Sequence, residues 1–303
     1  MALSETEARR KEASEVAGRG RRVSRLANYF RTGVALAKGG VTLRSILLFP
    51  IRRRLSHPRC EIALTNGLTI VSPPEEPLLS MFLDIWVTSC YAERPLELPR
   101  GATVIDVGAH VGLFALWVAA SHPEAKVIAL EPSPGICGFL RDNVSRNRLE
   151  NITVVQAACG GRRGEELLYS RGPGAMNTFY ARDLYGSQFR PLGKTPVLTL
   201  DDVFERFAVE SCEFLKLDCE GAEYEILFKA SADTLRKVER ISLEYHMGVT
   251  DHAPQELVDF LGSRGVEVEL LPPLDVESGY LHALRRKSEK ITRSVGQGMR
   301  SAG

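Results

Sequence analysis

Residues 104–114 read VIDVGAHVGLF, an apolar strand that ends in an acidic residue and runs through a glycine-bearing turn into an apolar helix. Glycine permits the tight turn and lets a ligand approach the backbone closely. Gly108 is followed by Gly112, whereas the dinucleotide fingerprint G-x-G-x-x-G spaces its last two glycines three residues apart. No Lys-Ser or Lys-Thr pair follows, as a P-loop requires. The stretch therefore predicts a Rossmann-like unit that carries neither motif.

Two carboxylates stand at the ends of the first two predicted strands. Asp106 would repel a phosphate at the glycine turn, but it suits a cationic amino-acid ligand such as S-adenosyl-L-methionine. Glu131 follows 25 residues later, in the sequence Ala-Leu-Glu-Pro, and can accept hydrogen bonds from both hydroxyls of a ribose. Its alternative role is a helix-entry carboxylate before Pro132. The glycine turn upstream makes us favour ribose binding.

Short apolar runs alternate with helix-like segments from residue 103 onward, the pattern of a parallel α/β sheet. The runs cover residues 103–107, 126–130, 152–157, 214–217, 240–244, 266–271 and 280–284. The last run follows its predecessor after a short Pro-rich link that is too short for a crossover helix, so it should pair antiparallel. By analogy, six parallel strands and one antiparallel strand make the Rossmann-like class I methyltransferase sheet.

A block of charged residues, FLKLDCEGAE at 214–223, lies at the end of the fourth strand. Side chains alternate along a strand, so Lys216, Asp218 and Glu220 should share one face while leucines bury the other. Charges crowded at this edge of a sheet cost free energy, which favours a role for them in binding or catalysis. The alternative is a salt bridge followed by carboxylates at a helix N-terminus. We favour a catalytic role for Lys216 and Asp218.

His246 ends the fifth strand and should point to the same edge as Asp218. An alcohol acceptor benefits from a base that removes its proton, and we predict His246 as that base, oriented by Glu244 or Asp218. The alternative is a surface histidine in a loop. Asp218, Glu220 and Glu244 could instead hold a divalent cation that binds a diol. Lys216 would compete for these carboxylates, so we predict no metal.

The end of the third strand is the predicted position of an adenine ring, because small side chains near Ala157 leave room for it. Ordinary small residues at a strand end are the alternative. Farther along, residues 162–193 contain Gly172, Asn177, Tyr180 and Tyr185 and no evident secondary structure. Long irregular loops are often lids or substrate determinants, so we predict that the acceptor is recognised there.

The first 60 residues differ in charge from the rest of the chain. They carry 14 Lys/Arg and 4 Asp/Glu, a net of +10, whereas the whole chain of 303 residues has a net charge of +1. Residues 1–22 contain almost no large apolar side chains and should be mobile. Residues 23–54 mix apolar and basic residues, but their apolar run is too short to span a bilayer. They form either an anchor on anionic lipid or, as we favour, a helix packed on the core.

Several classes of partner and compartment are disfavoured. The arginines lack interleaved aromatic residues and any recognised nucleic-acid motif, so we predict no nucleic-acid partner. The six cysteines form no CxxC pair and the histidines do not cluster, which disfavours structural zinc. No cleavable signal peptide is visible, and we therefore predict a reduced, cytoplasmic protein.

Four motifs together resemble the FkbM-type methyltransferase family. They are the Asp-Val-Gly-Ala start at Asp106, the Glu-Pro at Glu131, the Leu-Thr-Leu-Asp stretch that ends at Asp201, and the Lys-x-Asp-x-Glu-Gly-x-Glu block that begins at Lys216. The resemblance covers residues 100–250 and implies an O-methyltransferase that uses S-adenosyl-L-methionine. It also implies a hydroxyl acceptor on a sugar, glycolipid or polyketide-type small molecule. His110 departs from the family, which usually has Asn there.

The resemblance and the residue patterns together give the predicted organisation. Residues 1–60 form a basic, partly disordered extension, 61–99 a hairpin (residues 61–71, around Asn66-Gly67) and a helix (residues 76–91), 100–286 the methyltransferase domain and 287–303 a disordered tail. A nitrogen or macromolecular acceptor, or an inactive cofactor-binding scaffold, is the alternative function. The predicted cofactor contacts are Asp106, Gly108, His110, Gly112, Glu131, Ala157 and Asp218.

Overall fold

The computed structural model describes residues 31–54, 58–92, 95–170, 177–179, 189–274 and 277–285. The predictions of a mobile segment at 1–22, a tail at 287–303 and acceptor contacts at Tyr180 and Tyr185 lie outside these residues. The strands are β1 (Cys60–Ala63), β2 (Thr69–Ser72), β3 (Thr103–Val107), β4 (Lys126–Leu130), β5 (Ile152–Val155), β6 (Ala158–Cys159), β7 (Gly164–Ser170), β8 (Asn177–Thr178), β9 (Arg190–Leu198), β10 (Phe214–Leu217), β11 (Arg240–His246), β12 (Val266–Pro273) and β13 (Ser278–Arg285).

Helices fill most of the connections between these strands, and residues 31–38 are also helical. The helices with both ends described are α1 (Leu43–Arg54), α2 (Leu78–Phe82, continued by a π-helical turn over Leu83–Val87), α3 (Leu113–Ser121), α4 (Pro134–Arg146), α5 (Leu200–Arg206), α6 (Glu223–Lys229), α7 (Ala232–Arg236) and α8 (Pro254–Gly262). Across the described ranges, no helix has the length and apolar character needed to cross a membrane.

Seven strands form the central sheet, in the order β12-β13-β11-β10-β3-β4-β5. Pairing is parallel from β11 through β5, and β13 pairs antiparallel with both of its neighbours. Only β13 therefore runs against the other six strands. The strand number, the parallel majority and the single antiparallel strand confirm the predicted Rossmann-like class I methyltransferase fold.

Four strands end at different residues from those predicted. β12 extends to Pro273 rather than residue 271, and β13 runs from Ser278 to Arg285 rather than over 280–284. β5 ends at Val155 rather than at residue 157, because Ala158 leaves the central sheet and pairs with Val197 of β9. β11 continues to His246 rather than stopping at residue 244, since it remains paired with β13 as far as Ser278. His246 therefore belongs to a strand, and the alternative of a loop histidine is wrong.

The central sheet is covered by apolar residues on both faces. Side chains alternate along β3, so Val104 joins one buried cluster and Ile105 joins the other. Helix α3 belongs to the first cluster and buries seven of its nine residues, which include Phe114 and Trp117. A helix that is apolar all round needs cover on every side. The sheet covers one side of α3, and the residues that precede the core cover the other.

The predicted hairpin over residues 61–71 is present as β1 and β2, joined by a turn at Asn66 and Gly67. Two asparagine side chains, one in α4 and one at its C-terminal cap, bind the outer edge of β2. The amide of Asn143 accepts from the N–H of Val71 at 2.8 Å and donates to its carbonyl at 2.9 Å. Asn147 does the same with Thr69, at 2.8 Å for both bonds. These amides satisfy the backbone groups that an edge strand leaves unpaired.

The predicted helix over residues 76–91 is shorter in the structure. Helix α2 starts at Leu78, after Pro77, and its π-helical turn ends at Val87. The following residues cannot continue a helix because Ser89 adopts a left-handed conformation with φ of 59°. Tyr91 therefore lies in a turn, where its side chain faces the core.

The prediction of an irregular segment over residues 162–193 is wrong for most of the residues that the structure describes there. Strands β7, β8 and β9 form a second sheet with β6, in the order β6-β9-β7-β8. Pro191, Gly193 and Pro196 interrupt the apolar pattern of β9. β6 pairs only with Val197 and Leu198, so most of one side of β9 is an open edge on which proline is tolerated.

Candidate active site

A cavity of about 550 Å³ opens at the carboxyl ends of β3, β4, β10 and β11. This volume lies in the range of roughly 300–1,000 Å³ that small-molecule sites occupy. The described lining consists of Glu76, Pro77, Met81, Val107, Gly108, His110, Leu130, Glu131, Pro132, Ala157, Ala158, Cys159, Leu168, Asn177, Phe179, Asp218, Cys219, Glu220 and Glu244. The walls of the cavity come from the core, from residues 61–99 (the segment before the core) and from the small second sheet.

The glycine turn forms one wall, and its geometry requires glycine at position 108. Gly108 has φ of 72°, and a Cβ built there would lie 1.7 Å from the carbonyl oxygen of Asp218. The turn therefore packs directly against the chain that leaves β10. The N–H groups of Gly108 and Ala109 both donate to the Leu130 carbonyl, at 3.0 and 2.9 Å, which ties the turn to the end of β4.

Glu131 directly follows β4 and lines the cavity beside the glycine turn. Its Oε2 accepts from the backbone N–H of His110 at 3.0 Å, and its Oε1 accepts from the N–H of Ser133 at 2.9 Å. Burial raises the pKa of this carboxyl. Each carboxylate oxygen offers more than one lone pair, so both can still accept from a ligand diol. The carboxylate is held in a fixed orientation for that contact.

His110 has φ of 52° and points toward the segment before the core. Its Nε2 lies 3.2 Å from Oε2 of Glu76, which also lines the cavity. The departure from Asn at this position therefore comes with a carboxylate partner. Sequence reasoning missed Glu76 because it is separated from His110 by the whole of α2 and β3, and no local spacing connects them.

Asp106 and Lys216 form a buried ion pair behind the turn. They lie opposite each other on the adjacent parallel strands β3 and β10, and Lys216 Nζ is 3.0 Å from Oδ1 of Asp106. The same ammonium group donates to the Gly108 carbonyl at 2.8 Å and lies 3.7 Å from Oδ2 of Asp218. Burial opposes the charge on Lys216, but the two carboxylates raise its pKa above the ordinary value. Lys216 thus stays cationic and holds the turn in place.

A group of carboxylates forms the opposite end of the cavity. Tyr91, which is buried, donates its hydroxyl to Oδ2 of Asp218 at 2.8 Å and lies 3.2 Å from Oε2 of Glu244. Burial, with the nearby charge of Asp218, raises the pKa of Glu244 to about 7. Burial also raises the pKa of Glu220 to about 8, although His246 opposes that rise. Both carboxyls therefore change protonation near neutral pH.

His246 lies behind these carboxylates and has carboxylate partners at both ring nitrogens. Nδ1 is 3.1 Å from Oε1 of Glu223, and Nε2 is 3.2 Å from Oε2 of Glu220. Burial disfavours its charged form, but Glu223 and Glu220 raise its pKa well above the ordinary value. Its nearest partners differ from the predicted ones: Glu244 lies at 4.0 Å, and the ion pairs of the ring within the described ranges do not include Asp218.

Glu223 fixes the loop that carries Glu220. Its two oxygens accept from the N–H groups of Cys219 at 2.8 Å and Gly221 at 2.9 Å. Glu220 has φ of 57°, so its side chain leaves the alternation expected of a strand and turns toward His246. The prediction that Lys216, Asp218 and Glu220 share one strand face is wrong for Glu220, because β10 ends at Leu217.

Several predicted site residues meet at this cavity and others lie behind it. Gly108, His110, Glu131, Ala157 and Asp218 line it. The remaining four are outside the described lining: Asp106, Gly112, Lys216 and His246. Their roles in the site stay predictions.

The second sheet supplies three cavity residues from the region predicted to recognise the acceptor. Leu168, Asn177 and Phe179 all line the cavity. The hydroxyl of Thr178 donates to the Glu220 carbonyl at 2.8 Å, which connects β8 to the carboxylate end. Contact with an acceptor at these residues stays a prediction.

Three side chains at the carboxylate end could hold a metal ion. Within the described ranges, Asp218, Glu220 and His246 can each offer one ligand atom, with all three atoms within 4.8 Å of one another. The group differs from the predicted alternative, in which Glu244 took the place of His246. Both nitrogens of His246 already have carboxylate partners, and Lys216 lies beside Asp218, so a cation would have to displace these contacts.

Comparison with known proteins gives the following matches. The family model described as the methyltransferase FkbM domain matches residues 106–268. The chain is 27% identical over 233 residues to the 31-O-demethyl-FK506 methyltransferase FkbM of Streptomyces tacrolimicus, a match that covers 68% of this chain and 88% of that protein. It is 28% identical over 189 residues to Methyltransferase 1 of Beauveria bassiana, covering 55% and 74%. A solved human methyltransferase 10 domain containing protein aligns with a TM-score of 0.44 at 14% identity, covering 80% of this chain and 94% of that one.

Proposed function

The chain belongs to the FkbM methyltransferase family, and from this membership we propose that it transfers a methyl group from S-adenosyl-L-methionine to a hydroxyl of a small molecule. One observation carries the choice of cofactor. The described cavity lining contains five carboxylates, at Glu76, Glu131, Asp218, Glu220 and Glu244, and no Lys or Arg. Such a site repels phosphates and attracts a ligand that carries a sulfonium and an ammonium group.

The residues around the glycine turn fit this cofactor. Glu131 would accept from the ribose hydroxyls, and the close approach at Gly108 leaves room for the ligand beside the backbone. Ala157, which is buried and small, would lie against adenine. His110, paired with Glu76, would face the amino-acid part. Asp106 and Gly112 would act indirectly, since Asp106 holds Lys216 under the turn and Gly112 starts α3.

The carboxylate end would receive the acceptor. S-adenosyl-L-methionine, when bound, supplies an electrophilic methyl group. The residues of this chain then have to hold the acceptor hydroxyl, with Asp218 facing it, and take its proton. We propose that His246 serves the predicted base function through Glu220: the Glu220 carboxylate, which lines the cavity, accepts the proton, and the adjacent imidazolium stabilises the resting carboxylate.

The acceptor class is proposed from the relatives and from the second sheet. The Streptomyces relative is named as a methyltransferase of a 31-O-demethyl compound, so its methyl acceptor is an oxygen. Asn177 and Phe179 offer one polar and one aromatic contact at the cavity. This combination suits a sugar, glycolipid or polyketide-type metabolite. We propose a cytoplasmic location, because all six cysteines are free thiols, which suits a reducing compartment.

Cofactor binding tests the first part of the proposal. Isothermal titration calorimetry should detect binding of S-adenosyl-L-methionine and no binding of NADH. Glu131→Gln should weaken the affinity by roughly tenfold to a hundredfold, because two charge-assisted hydrogen bonds become neutral ones. The exposed Glu150 provides the control, and Glu150→Gln should leave affinity unchanged. Intact binding by Glu131→Gln would remove the basis of the assignment.

The acceptor is tested by metabolite analysis. Mass spectrometry of cells with and without the gene should reveal a compound that differs by one methyl group on oxygen. Purified protein should then methylate the unmethylated compound, and the activity should survive a chelator if the carboxylates act without a metal. Methylation of nitrogen or of a macromolecule would instead support the alternative acceptor class. Cofactor binding with no transfer to any acceptor would indicate a scaffold.

A further inference from the structure

Helix α1 has apolar residues on two faces. Phe49 is buried and Ile46 packs against the same apolar cluster, so one face holds the helix on the core. Leu43, Leu47 and Ile51 are 69%, 61% and 52% exposed. A spacing of four residues puts these three side chains in one row along the helix. We call this row the outer ridge. The packed-helix interpretation of residues 23–54 therefore accounts for only one of the two faces.

Exposed apolar side chains are concentrated in this part of the chain. Nine large hydrophobic residues are exposed within the described ranges, and four of them are Val34 and the three residues of the outer ridge. Single exposed leucines are normal on protein surfaces, whereas a cluster marks an interaction site. The outer ridge therefore requires an explanation that scattered exposed leucines do not.

The stretch of sequence that carries the outer ridge has charges of one sign. Residues 16–60 contain 11 Lys/Arg and no Asp/Glu. Within this segment Arg31, Lys38 and Arg44 are exposed. Residues 61–303 contain the remaining 25 Lys/Arg and 34 Asp/Glu, a net charge of −9. The two parts of the chain would thus respond in opposite ways to an anionic surface.

We propose that α1 lies on an anionic lipid surface, with the outer ridge inserted among the acyl chains and the neighbouring basic side chains at the lipid phosphates. A surface helix that combines apolar residues with cations is typical of peripheral membrane proteins. The lipid surface uses both features, whereas RNA would leave the ridge unused. A second copy of this chain would bring two basic segments together and repel. The inference goes beyond the proposed function and does not depend on it.

Vesicle flotation with the full chain tests this surface. The chain should bind vesicles of phosphatidylcholine mixed with phosphatidylglycerol at least tenfold more strongly than pure phosphatidylcholine, since each basic residue near the surface adds roughly fivefold. Leu43→Ser, Leu47→Ser and Ile51→Ser combined should reduce binding by roughly tenfold or more, because three apolar side chains are lost from the lipid contact.

A matched triple variant controls for general loss of surface hydrophobicity. Leu192, Leu274 and Leu284 are 48%, 58% and 49% exposed, and their replacement by Ser should leave vesicle binding unchanged. Both triple variants should retain the unfolding temperature of the parent chain. The proposal is overturned by equal binding to neutral vesicles, by no binding, or by unchanged binding of the ridge variant. It is also overturned if light scattering shows a dimer that the ridge variant dissociates, or if RNA binds more tightly than the anionic vesicles.

Discussion

Tyr91 connects the segment before the core to the carboxylate end of the cavity. It precedes Asp218 by 127 residues, yet its hydroxyl reaches both Asp218 and Glu244. Its ring also lies 5.1 Å from Nζ of Lys216, in a cation–π contact. A hydrogen bond donated to a carboxylate favours the ionised form, so Tyr91 helps to hold down the pKa of Glu244 against burial. We regard Tyr91 as a positioning residue of the proposed site.

Tyr91→Phe should change the pH dependence of methyl transfer. Without the hydroxyl, the pKa of Glu244 should rise further above about 7. The acidic limb of the kcat/KM profile for S-adenosyl-L-methionine should then move to higher pH by up to roughly one unit, because Glu244 is one of the cavity carboxylates that attract the cationic cofactor only when ionised. Loss of one hydrogen bond should also cost about 1 kcal/mol of stability. If Tyr91 only stabilises the fold, Tyr91→Phe will lower the stability without shifting the acidic limb of the kcat/KM profile.

Glu220→Gln tests the proposed proton acceptor. We expect kcat to fall by roughly a hundredfold, with the affinity for S-adenosyl-L-methionine within twofold of the parent. His246→Ala should also lower kcat and leave cofactor affinity nearly intact. The exposed Glu165 of β7 gives a control, Glu165→Gln, that should keep full activity. If turnover is unchanged in both Glu220→Gln and His246→Ala, neither residue belongs to the mechanism.

The β3–α3 turn determines how closely β10 can approach. Gly108 and Gly67 both have positive φ, of 72° and 92°, but only Gly108 faces another chain segment at the position of a Cβ. The carbonyl of Asp218 occupies that position. Alanine at Gly67 would therefore cost backbone strain alone, whereas alanine at Gly108 would add steric overlap with the Asp218 carbonyl.

Gly108→Ala should destabilise the fold far more than Gly67→Ala. Backbone strain alone costs about 1 kcal/mol in each variant. The overlap at Gly108 should raise the total loss to about 3 kcal/mol or more, since the neighbouring atom belongs to the backbone and cannot rotate away. Urea denaturation monitored by circular dichroism measures both values. Equal losses in the two variants would show that β10 moves aside at little cost.

The central sheet could be predicted from sequence because its strands are local apolar runs separated by helices. β3, β4 and β10 begin and end at the predicted residues. The second sheet could not be predicted, since only Leu168 is buried along β7 and prolines interrupt β9. Parallel topology brings the ends of β3, β4, β10 and β11 to one edge, which is why most predicted site residues meet. Tyr91 and Glu76 arrive by tertiary packing, which leaves no local spacing to detect.

The segment before the core and the methyltransferase domain share one apolar core. Ile62, Phe82 and Trp86 belong to the same buried cluster as Val104 and Phe114. The indole N–H of Trp86 donates to the Leu113 carbonyl at 3.0 Å. The predicted division at residue 100 stays a prediction, but these contacts cross it at many points.

The clustered carboxylates should make stability depend on pH. The pKa of Glu220 rises from 4.5 to about 8 and that of Glu244 from 4.5 to about 7 on folding, mainly through burial. The folded state then holds protons that the unfolded chain releases, so stability falls as pH rises through this window. His246 acts in the same direction: its pKa is raised by Glu223 and Glu220, and its stabilising charge is lost as pH rises through the raised value.

Thermal unfolding at a series of pH values measures this effect. The parent chain should unfold at a higher temperature near pH 6 than at a pH above the value of about 8 that Glu220 reaches. The double variant Glu220→Gln, Glu244→Gln should show a flatter dependence, because it lacks two of the groups that take up protons. An unfolding temperature that increases with pH across this window would contradict the raised pKa values of these groups.

The amide contacts of Asn143 have a practical consequence for protein engineering. Its side chain holds Val71 of the hairpin and also donates to the Val111 carbonyl of the glycine turn at 2.8 Å. A recombinant fragment trimmed to the family match at residues 106–268 would lose the hairpin. Without the hairpin and the helix that follows it, the apolar face of α3 would be exposed to water. We expect such a fragment to precipitate instead of folding. Expression vectors for this enzyme should therefore include the hairpin and the helix that follows it.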